Sequence, residues 1–165
     1  MRQLAILISL LSLSACGGVL PDTFTAEDLP DPAALTMEWG CGHGFWLGTS
    51  DQTAALQVAY TGEGSPPATA DLPSPDWDVR LIVGSDLYAN WCDDVIEPGE
   101  PTPVEHWVLP VTGGRITVLG EAPEPFSGGE LRFTADDLVV ELPDGATAPW
   151  GDFSGRNPTW GFFAG

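Results

Sequence analysis

The chain contains no lysine: its five basic residues are all arginine, Arg2, Arg80, Arg115, Arg132 and Arg156, against 24 acids and a formal charge of −19. That balance excludes nucleic acid as a partner, because phosphate binding relies on clustered Lys and Arg and the summed field here repels polyanions. The same field repels anionic membrane surfaces and attracts divalent cations or basic partners. Its plainest effect is to keep the protein in solution. Histidine is nearly as scarce, with only His43 and His106. A Ser-His-Asp site would have to use one of these two, and there is no G-x-S-x-G to supply the nucleophile. Zinc needs three or four convergent ligands, which no spacing here offers. No cysteine is followed at short range by both His and Met, as a blue-copper site requires, and no C-x-x-C is present to act as a redox dithiol. Helix-period segments longer than two turns are missing beyond the first residues, as are internal repeats. After Leu13 there is no apolar run near the ~20 residues a membrane-crossing helix needs.

What is present begins at the amino terminus. Met1-Arg2-Gln3 is a short basic start, and Leu4 to Leu13 is an apolar run with only Ser9 and Ser12 polar. The run has the length of a signal-peptide core rather than of a span. Leu13-Ser14-Ala15-Cys16 follows, and it resembles the lipobox of bacterial lipoproteins. The resemblance covers residues 1–16. It implies that residues 1–15 are a cleaved signal peptide and that Cys16 carries the lipid. The membrane is then a partner through Cys16 alone, since two or more acyl chains anchor stably without help from the domain. The implied location is the cell envelope, lipid-anchored and facing outside the cytoplasm. Loss of Arg2 with the signal leaves four arginines and 24 acids, 4 − 24 = −20. Residues 16–35, rich in proline and acids, read as a solvated tether, with a short helix expected at 25–29 behind Thr25. Residues 36–165 read as the folded domain.

With Cys16 assigned to lipid, Cys41 and Cys92 are an even pair in an oxidising compartment, and a disulfide between them is expected.

Glycine and proline, 20 and 16 residues, fall between apolar runs, as many short strands with many turns would place them. Leu56, Val58 and Tyr60 alternate, as do Val79, Leu81 and Val83. Phe45 and Leu47 suggest a strand just after Cys41. Glu105 to Leu119 reads as a hairpin about Gly113-Gly114, because a two-residue turn there puts Trp107, Leu109, Val111, Ile116 and Val118 on one face. A second hairpin is expected about Ala135-Asp136-Asp137, with Leu131 and Phe133 inward before it and Leu138, Val140 and Leu142 inward after it. Pro143-Asp144-Gly145 is the next turn. Residues 159–165 read as a closing strand, while 62–75 and 93–103 read as long loops. The expected fold is all-β, an antiparallel β-sandwich or partly open barrel of about eight short strands with one disulfide.

Two features invite a ligand. Asn90, Asp93, Asp94, Glu97 and Glu100 place five side-chain oxygens beside Cys92, a set suited to calcium, which takes six to eight oxygens from flexible loops. The EF-hand order is absent, and the alternative is a solvated acidic loop. No other cofactor is indicated. Seven tryptophans raise the question of a glycan-stacking patch, for which Trp77, Trp91 and Trp150 are the loop candidates; core packing is the other use of such residues. The reading that results is a lipid-tethered, non-enzymatic binding or envelope-structural module with a protein or glycan partner. The alternative is an envelope hydrolase using a carboxylate pair, although 24 acids nominate no particular pair.

Overall fold

The computed structural model describes residues 23–89, 92, 96–123 and 129–161. Among the described residues eight strands form: β1 (Leu35–Cys41), β2 (Gly44–Thr49), β3 (Ala54–Tyr60), β4 (Thr69–Asp71), β5 (Trp77–Ser85), β6 (Val104–Leu119), β7 (Leu131–Glu141) and β8 (Thr147–Asn157). All pairings are antiparallel, in the order β1-β2-β3-β5-β6-β7-β8, with β4 added to β6. The sheet curls into a half-barrel, so the partly open barrel is the form the all-β expectation takes. The alternation read from the sequence sets its inner face. Leu47, Leu56, Leu81 and Leu109 are cross-strand partners in one buried row over four strands. Phe45, Val58 and Val79 make the next row.

Neither expected hairpin forms. β6 continues without a break through Gly113-Gly114, and β7 through Asp136-Asp137. On β6 the buried side chains are Leu109 and Val111, then Ile116 and Val118, a switch from odd to even positions. β7 switches in the same way, from Leu131, Phe133 and Ala135 to Leu138 and Val140, and β8 from Ala148 and Trp150 to Phe153 and Asn157. A bulge inserts one extra residue and so exchanges the faces of a strand. The pairings are out of step at these levels, between Val111 and Arg115 on β6 and between Ala135 and Val139 on β7. Gly114, Asp137 and Gly151 have φ of 110°, 54° and 139°, and the Asp137 N–H donates to Asp152 Oδ1 at 2.7 Å. Three neighbouring strands therefore bend together. The bend lets β6 pair with β5 as far as Pro110 and with β7 from Val111 onward.

Gly114 is the tightest point of this corner: a Cβ there would lie 2.7 Å from Asp136 O and 2.9 Å from Asp137 O. Gly114→Ala combines a disfavoured backbone conformation with overpacking, and the expected loss is on the order of 3 kcal/mol. Gly64 also has positive φ but has nothing within 4 Å of its Cβ position. Gly64→Ala is expected to cost about 1 kcal/mol. Urea unfolding of the two variants gives the comparison, and equal costs would mean the corner yields.

The expected tether is not solvated throughout. Phe24 and Leu35 are buried in the main core, and Phe24 packs on Trp107 with ring centroids 5.7 Å apart. The short helix expected behind Thr25 is a 3-10 turn at Ala26–Asp28, where the Thr25 backbone N–H and hydroxyl both reach Asp28 Oδ2 at 2.8 Å. A second turn, Pro32–Ala34, follows Asp31, whose carboxylate accepts from Ala33 N–H. Between them Pro30 O accepts from Trp150 Nε1 at 2.8 Å. The segment thus crosses one end of the half-barrel from β6 to β8 before entering β1. That end carries the starts of β1 and β3 and the β7–β8 turn. The opposite end carries Gly42, His43, Tyr60 and Trp160, with His43 stacked on Trp160.

The edges of β1 and β8 meet through side chains. Asn157 is fully buried, and its Nδ2 donates to Gly42 O and Gly44 O at 3.1 and 2.6 Å. Its Oδ1 accepts from Thr159 N–H at 2.8 Å. Gly40 gives it room, since a Cβ there would lie 2.3 Å from Asn157 Cγ. The expected closing strand at 159–165 is displaced. β8 at Thr147–Asn157 closes the sheet, a turn seats Trp160 in the core, and 162–165 lie outside the described residues. The 62–75 loop also yields a short strand, β4, which brings Leu72 into the core.

Candidate binding surface

The outer face of the β1–β2–β3–β5 part of the sheet has its own small core of Trp46, Ala55, Ile82 and Leu87, with Trp39 and Tyr88 packed against it. Alternation explains how it arises. Trp46 and Ile82 sit between the inward residues of their strands, so their side chains point away from the main core. The turn after β5 folds back over them. Tyr88 reaches β2 where Gly48 has no side chain; a Cβ at Gly48 would lie 1.9 Å from the Tyr88 hydroxyl. That hydroxyl donates to Thr49 O. Burial, and then the charge of Asp51, push the Tyr88 phenol well above its ordinary range, so it stays neutral and acts as a donor.

Trp39 stacks on Trp46 at 6.0 Å with 28° between the planes, and it tilts onto Tyr88 at 3.8 Å. Met37, two residues earlier on the same face of β1, is 45% exposed. Met37, Glu38, Trp39, Gly40, Tyr88 and Cys92 line a concavity of about 360 Å³. The Cys41–Cys92 disulfide, with Cα atoms 5.9 Å apart, ties the end of β1 to the segment beyond Tyr88. A half-buried indole beside a thioether and a phenol offers apolar area and ring faces for stacking.

The aromatic set read from the sequence lands elsewhere. Trp77 and Trp150 are buried in the main core, so neither is available to a glycan. They lie on strands rather than in the expected loops, and their position inside the curl decides exposure. Among the described residues the Trp77 indole N–H has no hydrogen-bond partner. Trp91 lies outside the described residues, as do Asn90, Asp93 and Asp94 of the calcium set. Glu97 and Glu100 are exposed and bonded within their own turn, Glu97 N–H to Glu100 Oε2 at 3.1 Å. Among the described residues no three His, Cys, Asp or Glu side chains converge as metal ligands.

Trp39, Tyr88 and Met37 were missing from the candidates. The available signal was Trp39 two positions before Cys41, which places both on one face of a strand.

The described arginines are all paired: Arg80 with Asp78, Arg115 with Asp71 at 2.7 Å, Arg132 with Glu130 at 2.5 Å, and Arg156 with Glu38 at 2.9 Å. Two carboxyls are held below the ordinary range, Asp51 by the Thr49 and Thr53 hydroxyls and Glu130 by Arg132. That direction keeps them ionised, the opposite of what a general acid needs. No family model matches the chain, and no curated protein or solved structure matches it.

Proposed function

We propose that the chain is an exported lipoprotein, held in the cell envelope by lipid on Cys16 and facing outside the cytoplasm. Its half-barrel serves there as a non-enzymatic binding module. The observation that carries the binding reading is the outer aromatic surface, where Trp39 lies half-buried on Tyr88 and Trp46 with Met37 exposed beside it. Aromatic residues seated in partly desolvated hollows carry much of the energy of protein interfaces. The mature charge of −20 (4 − 24) directs the choice of partner toward a neutral glycan or a neutral or basic protein. The basic start, apolar run and Leu-Ser-Ala-Cys order support the anchor, and the Cys41–Cys92 bridge suits an oxidising compartment.

Two substitutions test the two halves of this reading. Cys16→Ala should move the protein out of the membrane fraction and remove the acyl mass from the amino terminus. Trp39→Ala should leave the fold intact by circular dichroism yet weaken binding at least 10-fold, the size expected for a central aromatic contact. Binding is read by tryptophan fluorescence against a panel of neutral oligosaccharides, and by cross-linking in the envelope for protein partners. Trp39→Ala with undiminished binding would sink the aromatic surface as the site, and a membrane-bound Cys16→Ala protein would sink the anchor.

A further inference from the structure

We propose that the end of the half-barrel crossed by Phe24 and Pro30 faces the membrane at short range, and that the end carrying His43, Tyr60 and Trp160 points away from it. The proposal rests on the reading of Cys16 as the lipidated residue.

Two lengths decide the orientation. Phe24 is fixed against Trp107 and Pro30 against Trp150, so the chain is committed to one end of the barrel from Phe24 onward. Residues 17–23 are all that separate Phe24 from Cys16. However they are disposed, they span at most about 28 Å at full extension. A folded body of this size is roughly 37 Å across, from the radius of gyration of compact domains. The leash is therefore shorter than the body. Turning the His43 end toward the bilayer would require the leash to run the length of the barrel from Phe24, which it cannot reach. The end crossed by Phe24 presents Asp51, Asp86 and Asp144 in its turns, and on an anionic surface their repulsion holds that end off at the length of the leash rather than in contact. The domain then stands on its leash with that end down. The His43 end is the one presented to whatever lies farther from the membrane.

The absence of lysine makes the test direct, because a single introduced lysine gives one side-chain amine to label. Thr147→Lys marks the membrane-facing end, where Thr147 is exposed opposite Glu141. Glu63→Lys marks the far end, where Glu63 is exposed and its carbonyl accepts from the Tyr60 hydroxyl. Each full-length lipidated variant carries a fluorescent donor and is reconstituted in phosphatidylcholine vesicles with an acceptor on the headgroups; the labelled lysine-free protein is the blank. Energy transfer from Thr147→Lys should exceed that from Glu63→Lys at least twofold. Inserting twenty Gly/Ser residues after Gly18 should bring the two values together, since such a linker frees the body to turn. Equal or reversed transfer at the native length overturns the orientation. Failure of the unsubstituted protein to float with vesicles overturns the anchor reading, and the orientation with it.

Discussion

A chain that begins at Thr36 is expected to unfold at a much lower urea concentration than one that begins at Thr23. The thirteen residues between them, 23–35, supply Phe24 and Leu35 to the main core and Pro30 O to the Trp150 indole. Removing a buried phenylalanine side chain costs about 3–5 kcal/mol, and a buried leucine about 2–5 kcal/mol. Leaving the partly buried Trp150 N–H without its acceptor adds a penalty of about 1–3 kcal/mol unless water replaces it. These terms overlap in one place and do not simply add. A combined loss of about 5 kcal/mol is still a third or more of the ~5–15 kcal/mol that holds an ordinary domain folded. Phe24→Ala in the longer chain isolates one part and should lower stability by about 3–5 kcal/mol. Equal urea midpoints for the two chain lengths would show that residues 23–35 lie against the domain without supporting it. A large loss would place the start of the folded unit at Thr23.

The N-terminal segment also shows where sequence reading stops. Phe24 stands alone among prolines and acids, and one apolar residue has no period. Its place in the main core comes from tertiary packing at the end of the barrel, Trp107 included. The strands with strict alternation were legible because each needs only its own residues: Leu56, Val58 and Tyr60 on β3, and Val79 and Leu81 on β5, are buried as their spacing requires. The two mistaken hairpins fail for a specific reason. A two-residue turn and a bulge both exchange the parity of inward residues, so Val111 and Ile116 share a face in either geometry. What separates them is the partner, and β5, β7 and β4 offered β6 more pairing as one continuous strand than it could gain by folding on itself. β8 is not legible because Pro149, Gly151 and Gly155 interrupt its pattern; Pro149 and Gly151 sit at the corner and Gly155 against Phe133 in the core. At the candidate surface, Cys41 and Cys92 were legible as a pair. Trp39 and Tyr88 were not, because their meeting depends on the space left by Gly48.

Replacing both bridged cysteines, Cys41→Ala with Cys92→Ala, is expected to lower stability by about 4 kcal/mol, on the chain-entropy account of a closed loop this long. The separation is 51 residues, and the loop contains β2, β3, β4 and β5, half the strands of the barrel. Most of the effect belongs to the unfolded chain, which gains freedom when the cross-link is absent. Locally the native packing has its own supports. Tyr88 still donates to Thr49 O and rests over Gly48, and Trp39 still stacks on Trp46. The variant should therefore keep the near-ultraviolet signal of its aromatic cluster in dilute buffer while its urea midpoint falls. The reduced wild-type protein should follow the variant rather than the oxidised protein. A variant within about 1 kcal/mol of the wild type would mean that the bridge does little to restrict the unfolded chain. Collapse of the aromatic signal with little change in midpoint would mean that the bridge acts on the folded surface. In that case the same reduction would also disturb the proposed Trp39 surface.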